Sequence, residues 1–191
     1  MDLVTVAVCT YNSSEYIIET LESIAKQTYM EIELIVSDDA SNDNTIDLVE
    51  EWLNSEINKH RFIKSQLLKV KKNTGVPANA NRALNASNGK WIKYIGADDV
   101  LLPSCITDNI YEVTKNTKIK VLFSKLDVFL NTFHESNYLY TTPNEIKQNS
   151  ILWPQRNSQE QYKMLLISDR VHFTPSVFLH NDTHWWALKT H

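Results

Sequence analysis

The chain lacks the sequence features typical of proteins outside the cell or within a membrane. Its 191 residues include only two cysteines, Cys9 and Cys105, which are too far apart to suggest a disulfide framework. No stretch approaches the roughly twenty apolar residues that a membrane span requires. The amino terminus has no secretory apolar segment, because Asp2 and Thr5 interrupt a run that is also too short. We therefore expect a cytoplasmic protein.

Two further absences exclude classes of function. The formal net charge is −4, so the chain lacks the basic excess typical of nucleic-acid-binding proteins. The histidines near the carboxyl terminus follow no compact zinc-binding spacing, and the cysteines are too widely separated to help; these histidines are His172, His180, His184 and His191. We expect neither a nucleic-acid partner nor a zinc centre.

What the chain does contain is a regular alternation of strand-like and helix-like segments. β-Branched and apolar runs predict strands, and apolar residues at helical spacing predict the helices between them. The predicted strands are Val4–Cys9, Glu33–Ser37, Gln66–Val70 and a run beginning at Trp91, and the predicted helices are about Glu15–Gln27, Ile46–Ser55 and Ala78–Ser87. Asn12 or Ser13 is expected to cap the first helix. The pattern predicts an α/β fold with a mostly parallel central sheet flanked by helices.

Polar clusters follow three of the predicted strands. They are Thr10-Tyr11, Asp38-Asp39 and Asp98-Asp99. In parallel sheets ligands collect outside the carboxyl ends of the strands, so we expect these clusters to converge on one site.

The pair Asp98-Asp99 is the most informative of the three clusters. Adjacent carboxylates repel each other, and a divalent cation bridging them to phosphate oxygens would offset that repulsion. The alternative is an Asp-rich turn that caps the helix after Pro103.

Five blocks in order resemble family 2 glycosyltransferases of the GT-A fold, over about Leu3 to Pro103. They are Ala7–Asn12; Leu21–Ile24 with Gln27–Tyr29; Glu33–Ser41; Asn73–Gly75 with Ala80–Ala83; and Gly96–Asp99. The resemblance implies a GT-A, Rossmann-like sheet and an inverting transfer from a nucleotide-diphosphate sugar, with a UDP-sugar favoured as donor. It also implies Mn²⁺ or Mg²⁺ as the cofactor and a glycan or lipid-linked acceptor, in surface polysaccharide biosynthesis.

The resemblance also implies roles for individual residues on the base side of the donor. Thr10 and Tyr11 would lie against the base, Tyr11 by its ring face and Thr10 through its hydroxyl or backbone. Asp39, with Asp38 beside it, would accept hydrogen bonds from the base edge or ribose. The alternative for Asp38 and Asp39 is a helix N-cap.

On the phosphate side, Asp99 would hold the metal against the diphosphate, and Asp98 would face the ribose or the metal. The metal would stabilise the departing nucleoside diphosphate as a Lewis acid. Arg82 would contact phosphate, or else lie on a solvated helix face. Two departures from the family pattern are Gly96, where an Asp often stands, and Ala40, which replaces a common Gly.

The general base of the family is a carboxylate roughly a hundred residues beyond the metal motif, and the family's downstream Glu-Asp motif is missing here. Asp182 is the nearest available candidate, followed by Asp169 and Glu160. We therefore expect a chain truncated at its carboxyl terminus, which leaves full activity of the 191 residues open.

We expect residues 1–128 to form the nucleotide-sugar-binding core and residues 129–191 a partial acceptor-side region of the same domain. Peripheral contact with the inner membrane face and homo-oligomerisation stay open.

The alternative function is a donor-binding domain that lacks the general base. A nucleotidyltransferase is a third hypothesis, but Thr10–Ser14 is not the Gly-rich, basic loop typical of that class.

Overall fold

The computed structural model describes residues 1–142, 159 and 176–182. Strands and helices alternate through the first part of the chain, as the sequence predicts. The elements are β1 (Val4–Thr10), α1 (Ile17–Ala25), β2 (Ile32–Asp38), α2 (Thr45–Asn54), β3 (Lys64–Lys69), α3 (Val76–Ala86), β4 (Trp91–Gly96), α4 (Cys105–Lys115), β5 (Val121–Phe123), β6 (Leu126–Phe129), a 3₁₀ turn (Glu135–Asn137), β7 (Tyr138–Thr142) and β8 (Val177–His180).

The start of α1 differs from the prediction. The helix begins at Ile17 with Tyr16 at the N-cap, and no side chain caps it. Asn12 instead has a positive φ of 51°, and its side-chain oxygen accepts a hydrogen bond from the Asn42 N–H at 2.9 Å. The prediction that Asn12 or Ser13 caps α1 was wrong, because the Asn12 side chain holds a neighbouring loop and the Ser13 hydroxyl donates to the Tyr11 carbonyl.

The main sheet has six strands in the order β3-β2-β1-β4-β8-β5. The pairs β1/β2, β1/β4 and β2/β3 are parallel, and β8 runs antiparallel to β4. The predicted mostly parallel α/β sheet is therefore confirmed. Because the chain leaves β1 toward β2 and later returns to β4 on the other side of β1, a crevice is expected outside the carboxyl ends of β1 and β4.

Both faces of this sheet are covered. Along β1, Val4, Val6 and Val8 point to one face and pack in the larger core with residues of α1, α2 and α4. Ala7 points to the other face, where it packs with Ala83 of α3 in a smaller cluster. This alternation leaves β1 buried along almost its whole length, as expected for a central parallel strand.

The described part of the chain divides into two compact units. The first contains Met1–Leu122 and the described part of Phe178–His191, and the second contains Phe123–Val177, including the antiparallel hairpin β6–β7. The sequence-based division after residue 128 therefore falls inside the second unit. Sequence patterns also gave no sign that β8 returns to the main sheet, where Phe178 stacks on Trp91 with ring centroids 5.2 Å apart.

The helices of the described residues are short. The longest, α3 and α4, have 11 residues each, and an 11-residue helix is about 17 Å long. The apolar core of a bilayer is about 30 Å thick. Across residues 1–142, 159 and 176–182, none of the helices has the length and apolar character needed to cross a membrane.

Candidate active site

Parallel pairing brings the three predicted polar clusters to one edge of the sheet. Thr10 pairs with Asp38, and Cys9 pairs with Gly96, so the residues that follow leave β1, β2 and β4 at the same level. At this edge Tyr11 is 46% exposed and Asp98 is also exposed. The edge therefore offers an aromatic ring and a carboxylate to a ligand above the crevice between β1 and β4.

Asp39 lies at this edge but is buried, with its carboxylate enclosed by a distant loop. Its Oδ2 accepts hydrogen bonds from the backbone N–H groups of Thr74 at 2.9 Å and Gly75 at 2.7 Å, and its Oδ1 accepts from the Thr74 hydroxyl. Burial alone would raise the pKa of Asp39, but these bonds and one from Arg82 hold that pKa below its usual value. Asp39 is thus an ionised carboxylate that fixes the loop over the edge of the sheet.

Arg82 lies on α3 and is part of the same network. Its Nη2 is 3.1 Å from Asp39 Oδ1 and donates to the Thr74 hydroxyl at 2.8 Å, and its Nη1 donates to Asn79 Oδ1 at 2.9 Å. Its side chain is 21% exposed. Protein groups hold Arg82, so it does not lie on a freely solvated helix face, and the expected phosphate contact stays a prediction.

Asp38 serves the turn that follows it. The residue is fully buried, and its Oδ1 accepts a hydrogen bond from the Ser41 N–H at 2.9 Å. The N-cap alternative is not what is observed either, because Asp43 is the carboxylate that accepts from the Thr45 N–H at the start of α2, at 3.0 Å. Asp38 is therefore buried and holds the backbone of the turn at the edge of the site.

Thr10 is also buried and its backbone carbonyl is already engaged. That carbonyl accepts from the Asp39 N–H at 3.0 Å and from Asn79 Nδ2 at 3.2 Å. The Thr10 hydroxyl is enclosed and has no hydrogen-bond partner in the described structure. Of the predicted base-side residues, Tyr11 is the one whose side chain is open to solvent.

The turn between Asp39 and Ser41 has a strained backbone. Ala40 has a φ of 66°, in the left-handed region that favours glycine. The replacement of the family's common glycine is therefore accommodated by strain and not by a change of turn. Hydrogen bonds from Asn12 N–H to the Ser41 hydroxyl at 2.8 Å, and from Asp39 N–H to Thr10, hold the turn in place.

Asp98 and Asp99 both fold toward Gly96. Asp99 Oδ2 accepts a hydrogen bond from the Gly96 N–H at 2.9 Å. A Cβ added at Gly96 would lie 2.6 Å from Asp98 Oδ1 and 3.1 Å from Asp99 Oδ2. The two carboxylates therefore converge on the space that a side chain at position 96 would fill.

The charge of this pair is poorly compensated by protein groups. Burial raises the pKa of Asp99 to about 6, and the neighbouring Asp98 contributes to the rise. Lys93, on β4 below the turn, partly opposes it, but this lysine is itself buried among core residues and burial lowers its pKa. Within the described part of the chain, no lysine or arginine forms an ion pair with either carboxylate.

A hard divalent cation fits this pair. The described residues contain no cluster of three or more His, Cys, Asp or Glu side chains that would hold a metal by protein ligands alone. Mg²⁺ and related ions are commonly held by one or two carboxylates together with substrate phosphates. Two converging carboxylates, one exposed and one with a raised pKa, match that arrangement.

Asp182, the leading sequence candidate for the general base, lies elsewhere. It follows β8, which is antiparallel to β4, with His180 opposite Trp91 at the start of β4. Asp182 binds Lys120 Nζ at 2.7 Å, and the preceding Asn181 N–H donates to the Lys90 carbonyl. A six-residue strand is roughly 20 Å long, so Asp182 is at the opposite edge of the sheet from Asp99. This position does not support its assignment as the base, which stays a prediction.

Other sequence-based candidates lie outside the described residues. They are Asp169 and Glu160, considered as weaker base candidates, and the histidines His172, His184 and His191.

Three buried polar residues, two on α1 and one just after it, contact the turn that carries Asp98 and Asp99 and were given no role from the sequence. They are Thr20, Ser23 and Gln27. The sequence contained a pattern that could have identified them. Within the predicted helix they occupy positions i, i+3 and i+7, which share one face with buried apolar neighbours.

Comparison with known families gives a match over most of the chain. The model of "Glycosyl transferase family 2" matches residues 5–172. An uncharacterized glycosyltransferase of Haemophilus influenzae is 34% identical over 128 residues, which is 67% of this chain and 38% of that protein. A protein of Escherichia coli named UDP-Glc:alpha-D-GlcNAc-diphosphoundecaprenol beta-1,3-glucosyltransferase WfaP is 29% identical over 154 residues, which is 80% of this chain and 56% of WfaP. The chain thus spans between about a third and just over half of these relatives.

Solved structures share the fold. Residues 1–349 of Staphylococcus aureus TarS, in complex with UDP-GlcNAc, align with a TM-score of 0.67 at 24% identity, covering 94% of this chain and 45% of that one. The mannosyltransferase PcManGT from Pyrobaculum calidifontis, in complex with GDP-Man and Mn²⁺, aligns with a TM-score of 0.56 at 25% identity, covering 63% and 34%.

The strained Ala40 gives a first testable prediction. Ala40→Gly should increase the free energy of unfolding by about 1 kcal/mol, because glycine adopts the left-handed conformation without the Cβ penalty. The same change in the interior of α3, Ala80→Gly, should lower stability by about 1 kcal/mol. Urea unfolding of both variants checks the opposite signs, and equal losses would contradict the strain at Ala40.

The raised pKa of Asp99 gives a second testable prediction. A folded-state pKa of about 6 lies above the unfolded value, so the cation-free protein loses stability as pH rises toward and through 6. Asp99→Asn should therefore raise the free energy of unfolding at pH 7 by about 3 kcal/mol and by much less near pH 4. Urea unfolding across pH 4–8 without divalent cations measures this difference. A gain that is independent of pH would contradict the assignment.

Proposed function

The chain belongs to glycosyl transferase family 2, and from this premise we propose that it transfers a sugar from a nucleotide-diphosphate sugar to a glycan or lipid-linked acceptor. The transfer proceeds with inversion and with the help of a divalent cation. The observation that carries the proposal is the convergence of Asp98 and Asp99 on one point beside β1, at the edge of the sheet where ligands of such folds bind.

The nucleotide lies, in this proposal, across the carboxyl ends of β1, β2 and β4. The exposed ring of Tyr11 stacks on the base, and the edge that the buried Asp39 fixes receives the base or ribose. The partly exposed Arg82 contacts phosphate. Asp39 is ionised and fixed by Thr74 and Gly75 before any ligand binds, so little ordering is needed at this end of the site. Thr10 and Asp38 contribute by holding the backbone of this edge in place, since their polar groups are enclosed.

The diphosphate lies over the carboxylate pair. Asp99 and Asp98 would hold Mn²⁺ or Mg²⁺ there, and the bound cation would stabilise the charge of the leaving nucleoside diphosphate. Asp99 must be ionised for this role, so binding weakens as pH falls through about 6. The Mn²⁺ in the PcManGT complex supports a divalent cation, and the UDP-GlcNAc of the TarS complex supports a UDP-sugar donor.

The acceptor side of the proposal is supported by the names of relatives. WfaP is named for transfer to a diphosphoundecaprenol-linked sugar, which is a lipid-linked acceptor. For this chain we propose an acceptor of the same class and a place at the inner face of the membrane, where such acceptors are within reach of a cytoplasmic donor.

Donor binding is the third testable prediction. UDP with Mn²⁺, at about a hundredfold excess over Kd, should raise the Tm at pH 7.5 by about 5 °C or more. Asp99→Asn should remove that rise, because it removes the charge that holds the cation. The matched control is Asp182→Asn, which removes a carboxylate at the opposite edge of the sheet and should keep the full rise.

The outcomes of this thermal-shift experiment are separable. Loss of the shift in both variants would mean that the loss is not specific to Asp99, and persistence of the shift in Asp99→Asn would point to binding away from Asp99. Repeating the wild-type measurement at pH 5 should reduce the shift, because the Asp99 carboxyl is then largely protonated.

The position of Asp182 favours a second candidate function. With this carboxylate at the opposite edge of the sheet from Asp99, a donor-binding domain without turnover is the alternative. The two functions differ in one measurement, the release of UDP from UDP-GlcNAc with and without a lipid-linked saccharide. Catalytic release supports the transferase, and ligand-induced stabilisation without release supports the binding domain.

A further inference from the structure

A single irregular segment carries both carboxylates of the proposed metal site. It runs from Ala97 to Pro103, between the end of β4 and the start of α4, and is called here the carboxylate turn. Ala97 and Leu101 are buried, at 3% and 5% exposure. Buried peptide groups outside regular structure need hydrogen-bond partners, and the partners determine where such a segment lies.

The partners come from one face of α1 and the residues just after it. The Thr20 hydroxyl donates to the Ala97 carbonyl at 2.8 Å, and the Leu101 N–H donates to Ser23 Oγ at 3.1 Å. Gln27 Nε2 donates to the Leu102 carbonyl at 2.8 Å. The bonds therefore bracket Asp98 and Asp99, one before the pair and two after it.

Gln27 extends the same support to the helix that follows. Its Oε1 accepts from the Ile106 N–H at 3.1 Å, in the first turn of α4, while its Nε2 also donates to the Ser23 carbonyl. Next to it, the Thr28 N–H donates to the Pro103 carbonyl at 2.9 Å. Thr20, Ser23 and Gln27 are 1%, 7% and 3% exposed, so their side chains are shielded from solvent.

We propose that Thr20, Ser23 and Gln27 are positioning residues for the cation site. They set the height and direction of the carboxylate turn, so that Asp98 and Asp99 face one cation before the donor arrives. This inference rests on the proposed function, because it assumes that the pair binds a cation. Partners that orient metal ligands typically contribute about 10- to 100-fold to metal affinity.

A purely structural role for these residues would make a different prediction. Removing a buried hydrogen bond lowers stability wherever the bond lies. Removing one that orients the carboxylate turn should in addition weaken cation binding in protein that is still folded. The experiment therefore compares the loss of a buried hydroxyl beside the carboxylate turn with the loss of one at the opposite edge of the sheet.

The compared variants are Thr20→Val and Thr5→Val, which remove a hydroxyl from equally buried threonines. Thr5 lies at the start of β1, where its hydroxyl donates to Glu33 Oε2 at 2.6 Å and accepts from the Gly89 N–H at 2.8 Å. Thr5→Val thus loses at least as many bonds as Thr20→Val, far from Asp99. Mn²⁺ affinity in the presence of UDP is measured by electron paramagnetic resonance of free Mn²⁺, and urea unfolding gives the stability of each variant.

Thr20→Val should weaken Mn²⁺ binding by about tenfold or more, and Thr5→Val should leave it at the wild-type value despite its stability loss. Thr20→Ser keeps the hydroxyl and should restore most of the affinity. Ser23→Ala is the second test. It deletes one oxygen atom and is the milder change, so it can be used if Thr20→Val folds poorly. It should weaken Mn²⁺ binding in the same direction.

Wild-type affinity in folded Thr20→Val and Ser23→Ala would overturn the inference and leave the proposed function intact. Equal weakening in Thr5→Val would also overturn it, because stability alone would then explain the effect. Absence of Mn²⁺ and UDP binding by the wild-type chain would overturn the proposed function and this inference with it.

Discussion

Parallel pairing of β1 with both β2 and β4 is the constraint on which the candidate site depends. In this register Thr10 lies beside Asp38, and Cys9 lies beside Gly96, so three loops leave the sheet at one level. Because β1 is central, the loops on its two sides diverge and leave a crevice between them. An antiparallel neighbour cannot contribute to that edge in the same way. The antiparallel β8 ends beside the start of β4, and Asp182 is consequently far from the crevice.

Chain segments that leave a buried sheet must find new partners for their peptide groups, and here polar side chains supply them. Asp39 holds the loop at Thr74 and Gly75, Asp38 holds the turn at Ser41, and Thr20 holds the residue before Asp98. Several residues expected to touch the ligand therefore act first on protein backbone. Their effect on a ligand is exerted through the position of the loops they fix, which is a role that a list of polar residues does not reveal.

The alternation of elements and the convergence of the three polar clusters on one edge of the sheet followed from the sequence, because hydrophobic periodicity and strand ends are local properties. The carboxyl end of a parallel strand has a fixed meaning once the sheet is known. The hydrogen-bond partners and burial of each carboxylate did not follow from the sequence, since they depend on distant residues. Asp39, for example, accepts a hydrogen bond from Thr74, which is 35 positions away in the chain. Nor did the return of β8 follow, because Val177–His180 has no local signal that distinguishes a strand of the main sheet from one of the second unit. Asp182 was chosen as the general base because it is the nearest available carboxylate in the sequence. Position in the sequence does not determine at which edge of the sheet a residue lies.

Gly96 shows how a departure from a family pattern can be compensated within the same turn. An aspartate at this position would add a third carboxylate, but its Cβ would meet Asp98 Oδ1 at 2.6 Å, closer than nonbonded atoms approach. Without a side chain there, the backbone N–H of residue 96 is open to Asp99, which accepts from it. The two remaining carboxylates then occupy the space that the missing side chain leaves. Burial, with a smaller contribution from Asp98, raises the pKa of Asp99, and a cation would neutralise this poorly compensated charge.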